Sequence, residues 1–360
     1  MIVKKLKNGA LLSAVLVSAL AFLAILALPL LWSRAVTPGS RLDGPPRSAA
    51  IAAPAVARTP TDPKIETVAT APGQGAPASA DRWFGAWVPG APKSMSHVAS
   101  LESEVGGDAS VVHYFTNTMY GFDPALASAA VGRGSIPLVT LEFWNPANGV
   151  NQPSLSLKSI SGGSMDTYLH TYAKNAKAFG KTLWLRPFHE MNGNWYPWGG
   201  TVNGNTPADL IVAWKHVKDI FTAEGATNVK FVWCPNASSV PNTAANAISA
   251  YWPGDAYVDY VALDGYNWGG TSWTSFSGVF GTAYAAVTAL SAKPVFIAET
   301  GSSETGGSKS AWVADMFKVI PTSFPRIVGV TWFDENKEHD WRVDSSSASL
   351  AAFKLGVATF

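Results

Sequence analysis

Thr182-Leu183-Trp184-Leu185-Arg186-Pro187-Phe188-His189-Glu190-Met191-Asn192-Gly193 is an apolar run that closes on a dense group of polar side chains. A near-continuous apolar strand is what a parallel sheet covered by helices requires. Polar side chains at its C-terminal end suit the open mouth of a barrel, where the sites of such folds are built. Working outward, similar runs lie at 83–88, 110–115, 136–143, 229–233, 258–263, 294–298 and 327–333. Together they supply the eight strands that a (β/α)8 barrel needs. Amphipathic stretches at 164–179, 207–223, 280–290 and 309–319 carry helical spacing between them. The predicted fold class is α/β, a (β/α)8 TIM barrel over residues 81–360.

The chain ahead of the barrel has a different texture. Lys4, Lys5 and Lys7 precede an apolar run over residues 10–32. That length suffices to span a bilayer as a helix. The lysines would stay in the cytoplasm and place the rest outside, in the periplasm or beyond the cell. The run ends Leu30-Leu31-Trp32-Ser33-Arg34, without the small residues of a cleavage site. An uncleaved signal-anchor helix over residues 1–34 is therefore expected; cleavage would make the protein secreted. Residues 35–80 are rich in Ala, Pro, Ser, Thr and Gly, and Pro38-Gly39, Pro45-Pro46 and Pro72-Gly73 break regular structure. They read as a disordered linker.

Composition excludes several classes. With 47% hydrophobic and 14% charged residues, most of the chain has enough apolar content to form a packed core. Net charge is +1, the basic excess lies in residues 1–80, and the body is mildly acidic, so no nucleic-acid partner is expected. Cys234 is the only cysteine, which excludes an intramolecular disulfide and a cysteine-rich metal site and suits a small core residue. A monomer is expected.

Polar residues that close the apolar runs are the candidates for chemistry. They are Glu142; His189 and Glu190; Asn236; Asp264, Tyr266 and Trp268; Glu299; and Trp332, Asp334 and Glu335. A charged group at such a place is costly to desolvate unless it has a partner or a task. Strands four and seven lie across an eight-strand mouth from each other, so Glu190 and Glu299 would face one another. Two carboxylates so placed are what glycoside hydrolysis requires, one protonated and one ionised. Glu142 and Asp264 read as supporting or capping groups. The run 334–340, with His339, matches no metal spacing, and Ser302-Ser303 lacks the elbow of a serine hydrolase. No metal or organic cofactor is expected.

The stretch 186–199, reading RPFHEMNGNWYPWG, resembles the acid/base motif of glycoside hydrolase family 26. KPVFIAETGSS at 293–303 resembles the nucleophile strand of that family, and residues 231–236 and Asp264-Gly265-Tyr266-Asn267-Trp268 also fit. The likeness runs from about Trp83 to the end. It implies a clan of (β/α)8 barrels, mostly retaining endo-β-1,4-mannanases with some mixed-linkage β-glucanases and β-1,3-xylanases. By that likeness Glu190 is the acid/base, Glu299 the nucleophile, Tyr266 the residue that holds the nucleophile, and Trp195 and Trp332 walls of the sugar subsites. His189 would donate a hydrogen bond near the nucleophile or the 2-hydroxyl, and Arg186 would sit below Glu190 and keep Glu299 ionised. Asn236 and Trp268 join the substrate-binding set. Trp195-Tyr196-Pro197-Trp198 departs from the W-F-W-W common in mannanases. The expected substrate is a β-linked polysaccharide, β-1,4-mannan first. Mixed-linkage glucan, β-1,3-xylan and an exopolysaccharide made by the cell itself are the alternatives, and a non-catalytic polysaccharide-binding barrel is the reading from another class.

Overall fold

The computed structural model describes residues 82–360. The expected anchor over 1–34 and linker over 35–80 lie outside the described residues. Among the described residues no helix is long and apolar enough to cross a membrane.

Eight parallel strands close into a barrel in chain order: β1 Trp83–Trp87, β2 Val111–Asn117, β3 Ile136–Glu142, β4 Leu183–Pro187, β5 Val229–Trp233, β6 Tyr260–Asn267, β7 Val295–Ser302 and β8 Ile327–Phe333. Around them lie α1 Ser96–Val105, α2 Pro124–Val131, α3 Asp166–Phe179, α4 Pro207–Ala223, α5 Phe276–Leu290, α6 Lys309–Ser323 and α7 Ser347–Val357. Between β5 and β6 the chain makes three short 3-10 turns instead of a long helix.

Local chemistry sets the helix starts. Thr206 and Asp209 form a reciprocal capping box ahead of α4, with Pro207 in the first turn. The Ser275 side chain accepts from Gly278 N and starts α5 four residues before the expected 280. Strands β6 and β7 also outrun the expected ends at 263 and 298. Their ladders continue through the polar residues of the mouth, Leu263 opposite Ile297 and then Gly265 opposite Thr300.

Alternation along each strand divides the core into two. Phe84, Val112, Leu185, Leu263, Ile297 and Val330 face outward into the layer shared with the helices. Trp83, Val111, Leu138, Trp184, Val232, Ala262, Phe296 and Ala298 form a separate cluster of strand side chains that fills the lower barrel. Trp83, Trp184 and Phe296 meet there at centroid distances of 5.1–5.6 Å. The residues two further along the same strands, His113, Thr140, Arg186 and Asp264, point the same way and make a polar layer above the apolar floor.

The floor has no spare volume. A Cβ on Gly329 would lie 2.1 Å from the Trp83 ring. Gly329→Ala should cost about 1–3 kcal/mol by overpacking. Gly281, inside α5, has nothing within 4 Å of the same atom, and Gly281→Ala should gain up to about 1 kcal/mol. Denaturant unfolding of the two variants checks the contrast; equal effects would contradict this packing.

Candidate active site

Arg186 is fully buried at the centre of the polar layer. Its Nη1 donates to both oxygens of Asp264, at 2.8 and 2.7 Å, and lies against the Cys234 sulfur. Its Nε donates to Thr140 Oγ1 at 2.7 Å, and its Nη2 donates to His113 Nε2 at 3.1 Å and to Glu299. His113 Nε2 also lies 2.8 Å from Thr140 Oγ1, and its Nδ1 has no partner. Burial, Arg186 and His189 all push His113 well below its usual pKa. Burial works against the charge on Arg186, and Asp264 and Glu299 more than offset it.

Glu299 reaches this layer through a break in the strand register. Ala298 faces the lumen, so strict alternation would turn Glu299 outward. A register shift between β6 and β7 places Asp264 opposite Glu299, skipping Ala298. Such a bulge re-aims a side chain, and here it turns Glu299 back into the barrel. Both carboxylate oxygens then take donors, Oε1 from Arg186 and Oε2 from the Tyr266 hydroxyl at 2.9 Å. That donor set suits an ionised group.

Glu190 lies beyond the end of β4, where the chain has left β geometry. Phe188 and Glu190 both have φ of 53°, a left-handed conformation unusual for residues with a Cβ. The segment is pinned on several sides. Glu190 N donates to Cys234 O, Trp198 Nε1 donates to His189 O, and Asn192 and Asn236 exchange side chain–backbone bonds. The Glu190 carboxyl accepts from Asn236 Nδ2 at 2.7 Å and from Trp195 Nε1 at 2.6 Å. Burial, with Glu299 nearby, pushes its pKa up to about 7. The two carboxyl groups thus stand in opposite surroundings.

Of the other expected residues, His189 is buried among Tyr196, Trp198 and Phe115, with Nδ1 unpartnered. Burial and then Arg186 hold it well below its usual pKa, in the neutral form. Trp268 is 50% exposed on the lip, edge-on to Trp341. Glu142 is half-buried at the end of β3, bonded by Trp144 Nε1, and burial pushes it to about 7. Cys234 is buried core, and burial pushes its thiol up.

Trp332 needs correction as a subsite wall. It is fully buried, and it packs on Phe353 and Trp312 of the helix layer. Alternation on β8 sends Trp332 outward and leaves Phe333 at the mouth, where it stacks on Trp87 at 4.4 Å. Trp87, Phe333, Trp341, His113 and Thr140 were not singled out from the sequence. For those on strands, Trp87, Phe333, His113 and Thr140, the signal is strand parity, whereas Trp341 lies on the loop after β8. His113 and Thr140 follow the lumen residues Val111 and Leu138 by two positions. In the run 334–340, Asp334 accepts from Val343 N and folds the loop onto itself. Among the described residues no group of three His, Cys, Asp or Glu side chains is placed to hold a metal ion.

A closed (β/α)8 barrel with two unlike carboxyl groups at its mouth is an arrangement that glycoside hydrolysis can use. Residues 156–348 match the model of glycosyl hydrolase family 26, and the chain belongs to that family. Endoglucanase H of Acetivibrio thermocellus is 40% identical over 283 residues, 76% of this chain and 30% of that protein. A mannan endo-1,4-beta-mannosidase of Bacillus subtilis is 28% identical over 221 residues, 56% of this chain and 57% of that protein. The chain thus spans less than two thirds of the length of either relative. The structure of a family 26 beta-mannanase from Bacteroides ovatus aligns with a TM-score of 0.57 at 18% identity, covering 77% of this chain and 88% of that one, a likeness of fold.

The buried charges give a stability test. Arg186→Met would leave Asp264 and Glu299 without their cation and should cost about 3–5 kcal/mol at neutral pH. The loss should shrink as acid neutralises Asp264, whose pKa burial pushes well above the usual carboxylate range. Denaturant unfolding at several pH values reads it; a variant as stable as the wild type at neutral pH would contradict the assigned role of the guanidinium.

Proposed function

We propose that the protein is a retaining endo-β-glycanase, with Glu299 as nucleophile and Glu190 as acid/base. The observation that carries this reading is the contrast between the two carboxyl groups. Glu299 takes donors from Arg186 and Tyr266. Glu190 sits in surroundings that push it to about 7. A nucleophile must be ionised, whereas a general acid must hold a proton near neutral pH. In the first step Glu299 attacks the anomeric carbon while Glu190 protonates the leaving oxygen. In the second, Glu190 takes a proton from water, which releases the sugar from Glu299. Asn236 and Trp195 orient Glu190, and Tyr266 and Arg186 hold Glu299.

For the substrate, a β-linked glucan is favoured over β-1,4-mannan. Identity to the endoglucanase is higher and runs over a longer stretch than to the mannosidase. The aromatic run Trp195-Tyr196-Pro197-Trp198 also departs from the mannanase pattern. We also propose that the apolar run at 10–32 tethers the enzyme outside the cytoplasm, where it trims a polymer. Extraction of cell membranes with alkaline carbonate should leave it in the pellet, and release into the supernatant argues against an uncleaved anchor.

Purified enzyme offered mixed-linkage β-glucan, β-1,4-mannan and β-1,3-xylan should release reducing ends fastest from the glucan; faster release from mannan reverses the assignment. Glu299→Ala should abolish turnover. Glu190→Ala should lose about 10²–10⁴-fold on polysaccharide and regain activity on an activated aryl glycoside with azide. Azide rescue of Glu299→Ala with retention would exchange the two roles. In the wild type, kcat/KM on polysaccharide should fall as pH rises through about 7, because Glu190 must be protonated to act as the acid. A kcat/KM that holds constant well above that pH would assign the acid role to another group.

A further inference from the structure

Lys309 is the first residue of α6 and is fully buried. Both facts cost stability. A cation is disfavoured at the positive end of a helix, and burying an ammonium requires full hydrogen bonding. All three donors are used on the connection between β8 and α7. Nζ donates to Asp340 O at 3.0 Å, to Arg342 O at 2.6 Å and to Ser345 Oγ at 2.8 Å. The carbonyl between the first two, that of Trp341, accepts from Trp332 Nε1 at 2.7 Å. Three successive carbonyls are therefore held from behind. The Trp341 ring they fix is 1% exposed and packs on Tyr266 with centroids 5.2 Å apart. It also packs closely on β7, where a Cβ on Gly301 would lie 2.9 Å from the ring. Tyr266 in turn donates to Glu299.

We propose that Lys309 is a positioning residue for Glu299, acting through Trp341 and Tyr266. The inference rests on the reading of Glu299 as nucleophile. It gives Trp332 a task as well, the support of the middle carbonyl, in place of contact with a sugar. Burial lowers the pKa of Lys309 to about 8, with Glu304, Asp340 and Asp334 opposing the shift and Arg342 adding to it. The Trp332 ring and Ser345, itself bonded to Glu304, complete its surroundings. Above that pH the ammonium becomes an amine with two donors for three acceptors, so the clamp is complete below about 8 and weakened above it.

The test is a double-mutant cycle on kcat with Lys309→Met and Tyr266→Phe, at a temperature where every variant is folded. Lys309→Met alone should lower kcat on the order of 10-fold or more, because a displaced reacting group is costly. The double variant should be little worse than Tyr266→Phe alone. Additive losses, or a wild-type kcat in Lys309→Met, overturn the proposal. The wild type gives a second reading that needs no variant to fold. With an activated aryl β-glycoside the first step needs no acid and Glu190 acts as an ionised base. Its kcat should then fall as pH rises through about 8, and a flat profile there overturns the proposal. Glu299→Ala is run beside them. Turnover by that variant would remove the underlying reading, whereas a dead Glu299→Ala beside an unimpaired Lys309→Met removes this inference alone.

Discussion

The guanidinium of Arg186 is the constraint around which the upper barrel is arranged. It is a fixed charge inside the barrel, one layer above an apolar floor of Trp83, Trp184 and Phe296. Such a charge is tolerable only when every donor is met. Asp264, Thr140, His113 and Glu299 meet them, from five strands in all once Arg186's own is counted. The bulge between β6 and β7 is the backbone's contribution. Without it Glu299 would point at the helices and Arg186 would lose an anion.

From that arrangement the unlike surroundings of the two glutamates follow. Glu299 is tied to the charge at the centre. Glu190 stands on a strained segment outside the strand, bonded by the neutral groups of Asn236 and Trp195, and burial sets its proton affinity. The strain is carried by fixed neighbours, since the chain on either side is bonded to residues after β5 and to the indole of Trp198. Stability spent on a buried ion pair and a strained turn is recovered in the floor and the helix layer.

Much of this was legible in the sequence. The apolar runs 229–233 and 327–333 are strands with the ends the structure has, and the amphipathic stretch 207–223 is a helix with both ends in place. Motif residues such as Glu190, Asn236 and Tyr266 come together as their positions after apolar runs implied. Apolarity alone places the ends of β6 and β7 too early, at 263 and 298. The ladders of β6 and β7 continue through polar residues because backbone bonding does not depend on side-chain polarity. The likeness of motif alone puts Trp332 at a subsite wall, whereas the parity of β8 turns it outward onto Phe353 and Trp312. The bulge at Glu299 leaves no mark in composition. The hold of Lys309 on the loop joins residues more than thirty positions apart, which no local pattern records.

The proposed pairing of Glu190 and Glu299 is tested most directly by the first anomer released. In a retaining enzyme the two carboxyl groups lie about 5–5.5 Å apart, with no room for a water between them and the sugar, and the reaction runs by two displacements. Proton NMR of the early products from the polysaccharide that the enzyme cleaves fastest should show the β-anomer first, with the α-anomer growing only by mutarotation. Release of the α-anomer first would mean a single displacement by water, and Glu299 would not be the nucleophile.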